Sequence, residues 1–352
     1  MENKYSVLIP VYGAERSERL ERSILSMFNQ TLPPDQVVLV CDGPITEELE
    51  SAIASLNQIM PLEIVRLEKN LGLGQALNHG LNRCRNELVA RMDSDDIACR
   101  ERCDKQFAFM WENGLDLCSA AVTEFVSAPS DTSLITSGGS NAPSGTSSVT
   151  SDSPNAPSGT SSATYGVPST PSGTSSATYI ASNTAFSTSS TPYDTSSTDY
   201  GIFGTSSSTN AIKATGSRRL PTTHDDLVRF AQKRNPMNHP CTAFKKTYVQ
   251  KVGGYRDMPF FEDYDLWARM ILAGARIGNH PEALLYMRAG EGFYRRRSGI
   301  GYCRHIVHFW KEMRRIRFCS RIRACFNIIL RCAVSVLPLS GIQHIYRKKL
   351  RT

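Results

Sequence analysis

The chain has 352 residues, 40% of them hydrophobic, and carries 40 Lys/Arg against 33 Asp/Glu for a net charge of +7. That length suits one large domain or two small ones, with apolar content ample for a core. No apolar run reaches the roughly 20 residues of a membrane-spanning helix. Met1 to Tyr12 has no basic segment followed by a long apolar stretch, and no Cys-x-x-Cys pair occurs among the 10 cysteines, so neither a spanning helix nor a secretory signal is expected. Free, partly buried thiols in a reducing compartment are expected.

Tyr5 to Tyr12 is a short β-branched apolar run and reads as a buried strand. A helical pattern follows, with Leu20, Ile24, Met27 and Phe28 on one face. Gln36 to Asp42 is a second strand, closed by Gly43-Pro44, and Thr46 is placed to cap a helix running toward Ile59. Leu62 to Leu67 is a third strand, Gly72 to Cys84 a helix, and Glu87 to Met92 a fourth strand. Strands that alternate with helices and are apolar almost throughout predict an α/β fold with a mostly parallel sheet covered on both faces. Ligands of such sheets lie beyond the carboxyl ends of the strands, where Asp42 and Asp93 stand.

Residues 127–217 break this pattern. Ser, Thr, Gly, Pro and Ala dominate, and Asn141-Ala-Pro-Ser-Gly-Thr-Ser-Ser148 recurs from Asn155 to Ser162. Large apolar side chains are too few to offset the entropy of ordering, so this stretch reads as a disordered insertion. Long insertions in surface loops cost little closure entropy. Structure is expected to resume near Arg218, with Thr223 capping a helix through Ala231. Then come a loop at Asn235 to Pro240, a strand from Cys241 to Phe244, a turn at Gly253-Gly254, a helix from Phe261 to Leu272 and a strand from Ala283 to Met287.

Three constellations carry chemistry. In Arg91-Met-Asp-Ser-Asp-Asp96 an apolar strand runs into three carboxylates, and Mg²⁺ or Mn²⁺ with a diphosphate would relieve their repulsion. An ordinary surface turn fits the same residues. Phe260-Phe-Glu-Asp-Tyr-Asp-Leu-Trp267 sets three acids among aromatic groups, where a carboxylate can be tuned as a general base or can serve the helix dipole. Gly72-x-Gly74 opens a helix but completes neither a dinucleotide fingerprint nor a P-loop.

Together these pieces resemble family 2 glycosyltransferases of the GT-A (Rossmann-like) fold, of the bacterial polysaccharide-synthesis type. The resemblance runs over residue 4 to about 126 and about 218 to 290. It rests on Ile9-Pro-Val-Tyr12, on Asp42, and on Asn70-x-Gly72 with Ala76, Asn78 and Gly80. Asp93-Ser-Asp95, which looks like the family's DxD element, and Glu262-Asp263 before Leu266-Trp267 complete it. The resemblance implies an inverting transfer from a nucleotide-diphosphate sugar to a hydroxyl of a saccharide or lipid-linked acceptor, in cell-surface polysaccharide synthesis. It implies that Val11, Tyr12, Glu15, Asp42, Asn70 and Asp93 bind the nucleotide sugar. Asp93 and Asp95 would hold Mn²⁺ or Mg²⁺, and Asp263 would deprotonate the acceptor. His239 would face the acceptor or serve as a loop histidine. The expected organisation is a nucleotide-sugar half over 1–126, the insertion over 127–217, an acceptor half over 218–290 and a basic helical tail over 291–352.

That tail is the last clue. From Arg288 to Thr352 sixteen Lys/Arg face only Glu291 and Glu312, so this segment is +14 and the preceding body −7. Phe318, Ile322, Phe326, Ile329, Ala333 and Val336 share one helical face. A basic amphipathic helix of this kind fits an anionic membrane surface, giving a cytoplasmic protein peripheral on the inner face of the cell membrane, and equally fits an ordinary helix packed on the rest of the chain. No nucleic-acid-binding signature is present. The alternative from another class is a catalytically inactive scaffold of the same fold with a Ser/Thr-rich interaction segment. A sugar-phosphate nucleotidyltransferase would need a Gly-Gly-x-Gly-x-Arg-like opening after the first strand, which is missing.

Overall fold

Tyr5–Val11 (β1) and Gln36–Cys41 (β2) are buried at every position, so both strands lie in a sheet covered on both faces. The computed structural model describes residues 4–126, 214–289 and 296–338, with 341, 342 and 345. The expected insertion lies outside the described residues from 127 to 213, as do Arg295 and Arg347-Lys-Lys349 of the tail. Leu62–Arg66 (β3), Leu88–Arg91 (β4), Ile97–Ala98 (β5), Leu117–Phe125 (β6), Ala214–Arg218 (β7), Ala243–Lys245 (β8) and Ile277–Arg288 (β9) complete one sheet. Its order is β3-β2-β1-β4-β8-β6-β9-β5, with β7 on β6.

The first half follows the expected alternation. Ser17–Phe28 (α1), Glu47–Ile59 (α2) and Leu73–Arg83 (α3) link β1 to β4, and the pairings β1–β2, β2–β3 and β1–β4 are all parallel. Thr46 caps α2, its hydroxyl accepting the Leu49 N–H at 3.3 Å. The expectation of a mostly parallel sheet is corrected beyond β4. There β8 runs antiparallel to both β4 and β6, β7 antiparallel to β6, and β5 antiparallel to β9, leaving β6–β9 parallel. Helical crossovers enforce parallel pairing only while strands and helices alternate, and the second half abandons that alternation. Two boundaries also move. β7 begins at Ala214, ahead of the expected restart, and β9 begins at Ile277 rather than Ala283. Pro281 concealed the longer strand. It falls where the β6–β9 register jumps between Ala120↔His280 and Ala121↔Ala283, an irregularity that spares a residue without an N–H.

Two apolar cores flank the sheet. Leu20, Ile24, Leu49, Ile53 and Phe107 of Arg102–Glu112 (α4) cover one face. On the other, Ala76 and Leu77 of α3 join Leu266 and Trp267 of Glu262–Leu272 (α7). Gly80 lets α3 lie directly on the strands, because a Cβ there would sit 2.4 Å from Leu8 Cδ1 and 2.5 Å from Val40 Cγ2. His224–Ala231 (α5) and Lys246–Lys251 (α6) fill the second half. All ten cysteines are free.

The C-terminal segment is not a separate tail. Gly299–Arg315 (α8) and Arg321–Ser335 (α9) form a third core with α7, where Phe309, Trp310 and Met313 pack on Phe261, Tyr264 and Ala268. Phe318, expected on the exposed stripe, belongs to that core at 5% exposure. No described helix is long and apolar enough to cross a membrane.

Gly80→Ala adds helix propensity of about 1 kcal/mol but forces overlap with two fully buried side chains, a cost of roughly 1–3 kcal/mol. A net loss of stability is expected, read as a lower urea midpoint with an unchanged slope.

Candidate active site

The chain leaves β4 into three carboxylates. Asp93, Asp95 and Asp96 each offer an oxygen within 4.8 Å of the others. Neighbouring elements clamp this turn through its backbone. Arg102 of α4, fully buried, donates through Nη2 to Arg91 O at 2.6 Å, and Ser23 Oγ of α1 donates to Asp93 O at 2.6 Å. From β9, Arg288 N–H reaches Asp96 Oδ1 at 2.7 Å and its Nε reaches Asp95 O at 3.2 Å.

Charge in this turn is incompletely balanced by the protein. Burial first, then Asp93 and Glu15, push the Asp95 carboxyl up to about 7. Burial, then Asp93 and Asp95, hold Asp96 well above the usual carboxylate range. The buried Asp96 Oδ2 has no hydrogen-bond partner among the described residues. Arg91, 1% exposed, pairs through Nη2 with Asp93. Hard oxygen ligands around a buried charge deficit fit Mg²⁺ or Mn²⁺, and the acidic cluster is able to coordinate such an ion.

A second acidic group opens α7. Asp263 Oδ2 accepts Asn235 Nδ2–H at 2.6 Å, and Oδ1 accepts the Tyr264 N–H at 2.7 Å. Burial raises Asp263 above its ordinary range, an effect those two bonds oppose. Burial and then Asp263 push Glu262 up to about 7. Before them Phe260 adopts φ +69°, a left-handed conformation costly for a bulky residue. Asp265, one turn on, is structural. It is fully buried and pairs with Arg269 at 2.7 Å, and Arg269 also donates to the carbonyls of Val252 and Gly254.

The Asn70-to-Gly80 motif organises the walls between these groups. The Asp42 carboxylate accepts the Leu71 N–H at 2.7 Å and the Gly72 N–H at 3.0 Å, holding the loop that opens α3. Gly43 makes this approach sterically feasible, since a Cβ there would meet Asn70 N at 2.6 Å. Asn78 crosses to the second half, donating to Tyr255 O at 2.7 Å and accepting Tyr255 N–H at 2.8 Å. Tyr255 OH in turn meets His239 Nε2 at 3.0 Å. Burial, then Arg91, hold the His239 pKa well below the usual value, so the ring is neutral.

The acidic turn after β4, Glu262 and Asp263, Asp42, Asn70 and His239 open onto one cavity of about 620 Å³. Val11, Tyr12, Glu15, Asp42 and Asn70 line it near β1 and β2, Asp93 and Asp95 line it at the end of β4, and Asp263 lines it at the start of α7. Every site residue expected from the sequence therefore faces the same space, and His239 does too.

Residues 6–144 match the family model described as Glycosyl transferase family 2. Over that stretch, which takes in β1 to β6, the chain is similar to the family. It is 29% identical over 345 residues to the amylovoran biosynthesis glycosyltransferase AmsE of Erwinia amylovora, covering 98% of both chains. It is 28% identical over 349 residues to the Escherichia coli UDP-Gal:alpha-D-GlcNAc-diphosphoundecaprenol beta-1,3-galactosyltransferase, covering 99% of this chain and 97% of the other. The mannosyltransferase PcManGT from Pyrobaculum calidifontis, solved with GDP-Man and Mn²⁺, shares the fold at a TM-score of 0.51 and 12% identity, over 97% of this chain and 78% of that one.

The cavity also holds residues not expected from the sequence. Arg91 and Asp96 lie inside the Arg91-to-Asp96 motif, and Glu262 lies beside Asp263, but nothing local tells ligand from support. Arg218, Arg234 and Arg331 come from three separate elements and carry no shared signal in the sequence.

Metal binding should be visible through pH. Asp95 and Glu262, each raised to about 7, keep protons in the folded state that the unfolded chain releases near pH 4. Rising pH between those values therefore destabilises the metal-free fold. Mn²⁺ removes the penalty on the aspartates, so it should raise the unfolding temperature more at pH 8 than at pH 5. Equal shifts at both would show that these carboxylates are not its ligands.

Proposed function

We propose that this glycosyltransferase is catalytically active and inverting, moving a sugar from a nucleotide-diphosphate donor onto an acceptor hydroxyl. The observation that carries the reading is the single cavity shared by the Asp93–Asp95–Asp96 turn and Asp263. A donor lying along Val11, Tyr12, Glu15, Asp42 and Asn70 would bring its diphosphate to Asp93 and Asp95. A divalent cation held there, Mn²⁺ or Mg²⁺, supplies charge neutralisation for the departing diphosphate. Asp263 is oriented by Asn235 and the Tyr264 N–H, and takes the proton of the acceptor hydroxyl as its oxygen attacks the anomeric carbon. One displacement from the side opposite the leaving group inverts the anomeric centre. The burial that raises Asp263 makes it a stronger base than a solvated carboxylate.

Similarity along the whole chain to an amylovoran-synthesis enzyme and to a transferase acting on a diphosphoundecaprenol-linked sugar supports a saccharide or lipid-linked acceptor in cell-surface polysaccharide synthesis. Peripheral attachment to the inner face of the membrane is supported by α9. Its buried residues are Ala324, Asn327 and Ser335, whereas Ile322, Phe326 and Ile329 are 85%, 63% and 70% exposed beside Arg321 and Arg323. Such inverted polarity suits a helix lying on anionic lipid.

With Mn²⁺ and a panel of nucleotide sugars, at least one donor should be turned over. Asp95→Ala and Asp263→Asn should each lower kcat by roughly 10²–10⁴-fold. No turnover with any donor, and unchanged nucleotide affinity in Asp95→Ala, would favour an inactive scaffold instead. Separately, the Ile322→Ser/Phe326→Ser/Ile329→Ser variant should lose co-sedimentation with phosphatidylglycerol vesicles while keeping its unfolding temperature. Undiminished pelleting would remove α9 as the contact.

A further inference from the structure

Among the described residues other than glycine, Phe260 and Arg317 alone adopt a left-handed backbone, at φ +69° and +62°. Arg317 lies just past the C-cap of α8, where helices commonly end in this conformation. Phe260 stands instead in a turn that the Phe261 N–H closes onto Met258 O at 2.8 Å, with Pro259 second and Phe260 third. With proline second and a positive φ third, such a turn favours Gly or Asn at the third place. A large aromatic side chain there is costly.

Core burial does not offset that cost. The next residue, Phe261, is buried and stacks on Phe309 at 4.5 Å and 13°. Phe260 is 37% exposed and lines the cavity. Tyr302 and His305 of α8 meet its ring at 5.2 Å and 89° and at 5.1 Å and 67°. These steep contacts fix how the ring is turned, and no described ring lies flat on it. The chain thus holds an oriented aromatic surface on the cavity at a position where core packing does not require one.

We propose that Phe260 seats the acceptor, whose reacting hydroxyl belongs to a pyranose ring lying flat on the Phe260 ring. The proposal rests on the transferase reading and adds a residue that selects a sugar ring over an open-chain hydroxyl compound. A pyranose is amphipathic, with C–H bonds on a ring face and hydroxyls around its rim. The face of an aromatic ring carries the negative part of its quadrupole and attracts C–H groups, while the contact also removes apolar area from water. Glu262 and Asp263 come just after Phe260 in the chain and line the same cavity. Their carboxylates suit the hydroxyl rim, so the ring face and the reacting oxygen are recognised by neighbouring residues of one segment.

Saturation-transfer NMR, with Mg²⁺ and UDP or GDP filling the donor end, tests the proposal. The probes are the methyl pyranosides of glucose, galactose, mannose and N-acetylglucosamine, with glucitol as the open-chain control. At least one pyranoside should bind, with most saturation on the ring protons of one face, and glucitol should bind more weakly. Phe260→Leu should weaken that pyranoside roughly three- to tenfold, the scale of a lost aromatic contact, and Phe260→Tyr should retain it. Metal-dependent binding of UDP or GDP to both variants reports their folding. Unchanged pyranoside affinity in Phe260→Leu, or an equal loss in Phe260→Tyr, would overturn the proposal. So would glucitol binding as well as the pyranosides, or no pyranoside binding while the nucleotide still binds. Weaker binding of nucleotide sugars to Phe260→Leu, with the bare nucleotides unaffected, would seat the donor sugar on Phe260 and overturn the acceptor. Absence of any metal-dependent nucleotide binding in the unmodified protein would instead sink the transferase reading.

Discussion

Repulsion among crowded carboxylates is the constraint around which this structure is arranged. Asp93, Asp95 and Asp96 come together at the end of β4, where burial makes the charges of Asp95 and Asp96 costly. The innermost compensating cation is Arg91, whose Nη2 pairs with Asp93 while Nε and Nη1 have no hydrogen-bond partner among the described residues. Its field reaches Asp96, His239, Glu262 and Asp263. A single buried guanidinium thus biases both acidic groups toward ionisation and adds to the burial that keeps His239 neutral, without cancelling the charge of either group. The remainder is what makes the turn suited to a divalent ion.

Holding such groups apart from one another and from water takes rigid support. Arg102 and Ser23 fix the β4 turn by its carbonyls, and Arg288 fixes it from β9. On the opposite wall Asn78 joins α3 to Tyr255 and through it to His239. The bonds from Arg288, Asn78 and Tyr255 tie residues 4–126 to residues 214–289, so the cavity wall is set by secondary structure rather than by loop chemistry alone. That is the arrangement a displacement reaction benefits from, because positioning of the reacting atoms is gained before the substrates arrive.

The C-terminal helices extend the same logic. α8 covers α7 with Phe309 and Trp310, which pack on Phe261 and Tyr264 on either side of Asp263. α9 then puts Arg331 on the cavity and its large apolar residues outside. A helix whose buried side is Ala, Asn and Ser contributes little to the core and leaves exposed apolar area with no partner in the described chain.

Local pattern by itself determined much. The apolar runs of β1, β2 and β4, the Thr46 and Thr223 caps, and the acids after β4 and before α7 follow from steric and hydrogen-bonding preferences that act within a few residues. In the parallel unit those preferences also placed Asp42 and Asp93 on one cavity, because strand ends there share a side. Folding in three dimensions decided the rest. The antiparallel insertion of β8, the jump in register at Pro281, the burial of Phe318, and the separation of Asp263 in the cavity from Asp265 in the core depend on partners far away in the chain. So does the meeting of Arg218, Arg234 and Arg331, since their shared position comes from packing between elements and leaves no periodicity or spacing in the sequence.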